Sequence, residues 1–178
     1  MRLDLSSPRL SLFLLCVVAF LTCAALSYTV TAAVEEPQYA WLHGFDARGR
    51  EITLGSLRGQ VVAVTFVGKN TRDEATDIND DLSRLAEPSR MTVVSVVDLE
   101  DVPHLGRRTA MSKIAESDRP GLVHLVDSDG RLKQSFGVDP TRKVTILVLD
   151  RDGAVRGRFE GEAGLSQAVK LIEKLKST

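Results

Sequence analysis

The sequence predicts an α/β domain: a mixed central sheet with helices on both faces, closed by a C-terminal β-hairpin and a last helix. Three observations carry that prediction. Four apolar runs, at residues 61–67, 91–99, 122–127 and 144–150, have almost no charge and many β-branched residues, as strands covered on both faces do. Helix-forming segments separate the first three, which is the alternation of a layered α/β sheet. After the fourth, Arg151-Asp152-Gly153 turns tightly into AVRGRFEG, so that pair should be an antiparallel hairpin.

Taken in order, AWLHGFDARGREITL reads as two short extended segments about the turn Asp46-Ala47-Arg48-Gly49, with Ile52 and Leu54 alternating as in a half-buried strand. VVAVTFV, residues 61–67, follows as a central strand. The next helix begins at Thr71, which precedes Glu74 at the spacing of a capping box. Ile78, Leu82 and Leu85 fall at helical spacing, Ala75 and Ala86 are compatible with the same stripe, and Pro88 ends it. A second core strand spans 91–99, and a loop through Pro103 and Gly106 leads to a helix near 108–116. LVHLVD is the third core strand, followed by the turn Ser128-Asp129-Gly130 and a short segment RLKQSFGV. LSQAVKLIEKLK closes the chain as an amphipathic helix with Leu165, Val169, Ile172 and Leu175 on one side.

The first 33 residues differ from the rest. Arg2 and Arg9 precede an uncharged stretch at 10–33, whose strongest part, residues 12–26, is shorter than a membrane span of about 20 residues. That pattern suits a cleaved signal peptide ending ahead of Val34, with a retained N-terminal anchor as the other reading. Phe20-Leu21-Thr22 is a poor approach to a lipid-attachment cysteine, which counts against lipidation of Cys23. Residues 34–38 form a polar linker to a domain at 39–178, which either reading places outside the cytoplasm. Both cysteines, Cys16 and Cys23, precede that domain, so thiol exchange and thiol peroxidase chemistry are closed to the domain acting alone. The 23 basic and 24 acidic residues nearly cancel and aromatics make up only 5%, which argues against nucleic acid as a partner. Membrane contact is expected only through the N-terminal segment.

The order of elements resembles the thioredoxin-like fold in its secreted redoxin form, the AhpC/TSA and TlpA-like branch. EITLGSLRGQVVAVTFV is similar to that family's entry segment and first core strand, and VTILVLDRDGAVRGRFEG to its terminal hairpin. LVHLVDSDGRLKQSFGV resembles the stretch ahead of the hairpin, so the likeness covers about residues 39–176. It implies a three-layer sandwich. Working members carry Cys-x-x-Cys, or one peroxidatic cysteine, after the first core strand, and a cis-proline before the hairpin. Here residues 68–73 hold neither cysteine nor proline, and Lys143 or Val144 stands at the cis-proline place, Pro140 being too early. Cysteine-free periplasmic proteins of the YtfJ type resemble the chain in this loop and in the VDSDG and VLDRDG segments.

Lys69, Asn70 and Thr71 stand where the fold presents groups at a helix N-terminus, a position that favours anions. Capping alone explains these residue types, and Asp73 and Glu74 already occupy the favourable end of the helix dipole. The acidic set Asp73, Glu74, Asp77, Asp80 and Asp81 is a solvated face rather than a metal site, since no loop supplies carbonyl ligands. Asp127-Ser-Asp129-Gly and Asp150-Arg-Asp152-Gly lack the length and terminal Glu of a calcium loop and read as turns. His43, His104 and His124 are scattered without ligand spacing, and His124 reads as a packed or edge residue. No catalytic residue, metal or cofactor is expected. The expected function is a non-catalytic, cysteine-free envelope protein that binds a protein partner between Lys69–Thr71 and Lys143–Val144. A redoxin acting with a cysteine-bearing partner, and an anion-binding module at the helix start, are the alternatives.

Overall fold

The structure, a computed structural model, describes residues 42–86, 90–117 and 119–178. The signal or anchor segment, the linker and Pro88 lie outside the described residues. The chain divides into two units, Met1–Glu36 and Pro37–Thr178, and every described residue falls in the second.

Seven strands form one mixed sheet: β1 (His43–Asp46), β2 (Glu51–Thr53), β3 (Val61–Val67), β4 (Met91–Asp98), β5 (Leu122–Asp127), β6 (Thr145–Leu149) and β7 (Val155–Glu160). Their order across the sheet is β2-β1-β5-β4-β3-β6-β7. β3, β4 and β5 run parallel, while β1 and β6 pair antiparallel to β5 and β3. β6 and β7 form the expected hairpin, with a register irregularity at Val148/Leu149. Among the described residues a 3-10 turn at Leu54–Leu57 and four α-helices accompany the sheet: α1 (Arg72–Leu85), α2 (His104–Glu116), α3 (Arg131–Ser135) and α4 (Gly161–Lys176).

Strand alternation divides the core in two. Val61, Ala63, Val67, Val93 and Ile146 pack with Ala75, Ile78 and Leu82 of α1 and Ala168 and Ile172 of α4. Val62, Val64, Phe66, Val96 and Leu147 pack with Leu42, Leu57, Leu132 and Phe136 on the other side. The two faces together bury β3 completely, as its run of apolar residues requires.

Three elements differ from the sequence reading. α2 starts at His104, four residues early, because Pro103 can precede a helix whose first amides need no partner. The segment after Gly130 is the short helix α3, launched by the left-handed Gly130 (φ 72°). On α4 the fully buried line is Gly161, Gly164, Ala168 and Ile172, with Leu165, Val169 and Leu175 only partly buried beside it. A Cβ at Gly164 would lie 2.9 Å from the Phe159 Cβ, so small residues let the helix sit down on β7.

The two aspartate turns are as expected. Asp46 Oδ1 accepts the Arg48 and Arg50 amides at 2.9 and 2.8 Å, and Oδ2 meets Arg50 Nε at 2.6 Å. Asp150 repeats the pattern, accepting the Asp152 and Ala154 amides at 3.0 Å and Arg156 Nε at 2.5 Å.

Candidate functional site

The loop after β3 and the segment before β6 meet at the C-terminal end of the central strands. Gly68 is buried there, and a Cβ on it would fall 2.6 Å from the Pro140 carbonyl oxygen. Thr71 Oγ1 accepts the Gly68 amide at 3.0 Å and donates to that same carbonyl at 3.1 Å. Residues 68–71 and the loop at Pro140 are therefore tied backbone to backbone through one hydroxyl.

The capping box is not formed. Thr71 stands at the N-cap without a side-chain capping bond, because its hydroxyl is engaged with Gly68 and Pro140. Glu74 reaches across instead, its Oε2 accepting the Val144 amide at 3.0 Å. The Val144 carbonyl takes the Gly161 amide at 2.8 Å, so both backbone polar groups of this residue are held. All peptide bonds among the described residues, including the one before Val144, are trans. Pro140 and Glu74, which the sequence reading left out of the site, are the groups that join its two halves.

The candidate residues separate into two kinds. Thr71 and Val144 are buried, at 3% and 0% exposure, and serve as joints. Lys69, Asn70 and Lys143 are exposed beside them, with Thr141 and Arg142 on the same rim. What reaches solvent is a small, mainly basic surface without a thiol. It can hold a partner's carboxylates or backbone carbonyls by hydrogen bonding and charge.

The acidic face of α1 is partly engaged: Asp80 pairs with Arg119 and Asp81 with Arg84. A second cluster lies where β4 and β5 end in register at Asp98 and Asp127. Lys133 Nζ lies 2.6 Å from both Asp98 Oδ2 and Glu100 Oε2, and its amide bonds Asp127 Oδ2 at 2.9 Å. Burial lowers the Lys133 pKa, but these two carboxylates outweigh it and hold the ammonium charged well above the usual lysine range. Burial pushes the Asp127 carboxyl up, aided by the charges of Asp98 and Asp129 and opposed by the Lys133 and Leu132 amides. The lysine fills the place a cation would take.

A third grouping went unnoticed in the sequence. Thr65, Ser95 and His124 stand side by side on β3, β4 and β5, and all three are buried. Thr65 Oγ1 donates to Asn79 Oδ1 of α1 at 2.8 Å, and Asn79 Nδ2 donates to Ser95 Oγ at 3.1 Å. The signal was present: each residue is a polar group with apolar neighbours on both sides inside a strand run, and parallel register aligns the three. His124 thus lies in an interior strand of the sheet.

Solved structures with this architecture bear out the expected fold. An exposed lipoprotein thioredoxin of Streptococcus pneumoniae superposes with a TM-score of 0.59 at 19% identity, over 75% of this chain and 98% of its own. A thioredoxin-like superfamily protein gives 0.63 at 12% identity, over 79% and 97%. A thiol-disulfide isomerase of Corynebacterium glutamicum gives 0.60 at 16%, over 78% and 97%. No family model and no curated protein matches the sequence. The chain has the thioredoxin-like fold: a three-layer α/β sandwich. Its described residues contain no cysteine.

Proposed function

We propose that this is a non-catalytic thioredoxin-like protein of the cell envelope, which binds a protein partner at the exposed rim of Lys69, Asn70 and Lys143. One observation carries the reading. The place where this fold brings its two catalytic segments together is closed by Thr71 on Pro140 and Glu74 on the Val144 amide, with no thiol near it. Thiol-disulfide exchange proceeds by attack of a thiolate, and residues 34–178 have none to offer. A fold hosts many functions, so the names of its structural neighbours do not transfer their chemistry to a site without the reacting group. The envelope location rests on the charged start and uncharged core of residues 1–33. Among the described residues no helix is long and apolar enough to cross a membrane.

A photo-crosslinking residue at position 70 or 143 in the exported protein tests this. Capture of one protein from both positions, and not from Lys170 on the outer face of α4, is the expected result. Reduction of insulin disulfides or consumption of peroxide by the purified protein would overturn the non-catalytic reading. Enhanced turnover only when a thiol protein is added would favour a redoxin working through a partner's cysteine.

A further inference from the structure

A cleft of about 330 Å3 lies between α1 and α2, over the β3–β4–β5 face of the sheet. Its lining takes in Val67 and Arg72 on either side of the 68–71 loop but not Lys69 or Lys143, and its reading does not depend on the proposed partner. Its size is at the lower end of small-molecule sites. We propose that it binds a small organic anion with an apolar body.

Three features of its wall point to that chemistry. The first is α2 itself, a helix of 13 residues with no buried residue. A helix on a sheet ordinarily buries an apolar stripe. Here Ala110 and Ile114, both half-buried, line the cleft with the half-buried Val97, and leave apolar surface for a ligand body to cover over the buried Val67 and Leu99.

The second is charge. Among the described residues, Arg72, Lys113 and Arg119 line the cleft with one carboxylate, Asp80. Among the described residues Arg119 is paired with Asp80, and no ion pair engages Arg72 or Lys113, which face the cleft from α1 and α2. Two cations across a gap suit a carboxylate, sulfonate or phosphate held between them.

The third is the polar row. Asn79, Ser95 and His124 also line the cleft, in a core where neighbouring strand positions are valine and leucine. Ser95 Oγ accepts the Asn79 amide, so its own proton is available to an acceptor in the cleft. An anionic head on Arg72 and Lys113, an apolar body against Ile114 and Val97, and a polar tail on Ser95 complement the three parts of the wall.

The test titrates 1-anilinonaphthalene-8-sulfonate, an apolar aromatic body with one sulfonate, into the full-length protein and follows its fluorescence. Saturable one-site binding is expected. N-phenyl-1-naphthylamine, the same body without the charge, should bind about tenfold more weakly, and Lys113→Glu should weaken the sulfonate by about tenfold. Ala110→Trp, which fills the cleft from the exposed helix, should abolish binding. Amide chemical shifts of Ser95 and His124 in the unsubstituted protein should move on titration, which keeps the test independent of any variant's folding. Binding that survives Ala110→Trp, including any by the apolar residues 10–33, would overturn the site. Equal affinity for the charged and uncharged probes, or shifts confined to residues far from Ser95, would overturn it as well.

Discussion

At the scale of single residues, Glu74 shows how a correct spacing can be put to a different use. Thr71 and Glu74 stand three apart, as a capping box demands, yet the carboxylate serves Val144 and the hydroxyl serves Pro140. The sequence identifies a helix start here, because helix starts are local. It cannot show that an amide 70 positions later, just ahead of β6, takes a side-chain acceptor. Glu74→Ala should strip that amide of its acceptor and cost about 1–2 kcal/mol, the usual penalty for an unpaired, partly buried donor. Glu74→Gln, which keeps an acceptor oxygen, should recover most of this in urea unfolding. Gly68→Ala is the stronger change. Its Cβ would meet the Pro140 carbonyl oxygen at 2.6 Å, against backbone that cannot rotate away. A loss of about 1–3 kcal/mol is expected from such overpacking, and an unchanged unfolding midpoint would mean that the loop at Pro140 yields freely.

Among the elements, the strands were the most legible and α2 the least. β3 and β4 announce themselves because a strand covered on both faces must be apolar throughout, and only such a strand reads VVAVTFV. α2 has no such signature, since none of its residues is fully buried, and its first turn carries no apolar period to mark where it starts. α3 was missed for a different reason: five residues are too few for a helical period to show. It is fixed by contacts, with Leu132 in the core and Lys133 between Asp98 and Glu100. Lys133→Ala should leave those carboxylates facing Asp127 uncompensated and cost about 2 kcal/mol at neutral pH, less than a fully buried pair because Glu100 is partly exposed. Lys133→Met, which keeps the apolar stem, should cost nearly as much if charge is the main term. The weak packing of α2 has its own consequence. Its amides should exchange with solvent well before those of α1, which has four buried residues. Protection of α2 equal to that of α1 would show that the helix is held by more than these contacts.

For the whole molecule, the fold was readable and the closure of its site was not, because one is written in periodicity and the other in pairings between distant residues. The same long-range and turn pairings set the response to acid. Burial alone would raise the Asp46 carboxyl, but the Arg50 and Arg48 amides and the Arg50 guanidinium outweigh it and leave it below its ordinary value. Asp150 behaves alike, with Arg156 and the Ala154 and Asp152 amides winning over burial. A carboxyl depressed in the fold adds stability that is fully present above its unfolded pKa of about 3.9 and is lost as pH falls through the folded value. Asp127 has the opposite sign. Its raised carboxyl favours the fold most below that unfolded pKa, and the advantage is lost as pH rises through the folded value. The two turns outnumber it, so stability should hold from neutral pH to about 4 and then fall. Asp46→Asn should cost about 1 kcal/mol at neutral pH, the loss of a charge-assisted bond to an exposed arginine. At pH 3 that cost should be smaller, since protons then bind the unfolded carboxyl in preference to the native one and offset part of its advantage, and Asp150→Asn should behave likewise. Asp127→Asn should show no such convergence from the destabilised side: its cost, if any, should be smallest at neutral pH and grow in acid. Urea unfolding of the three variants at pH 7, 5 and 3 separates these signs. If all three converged on the parent protein together at low pH, the buried end of β5 would be held by its charge, and the opposition between Asp127 and the two turns would be wrong.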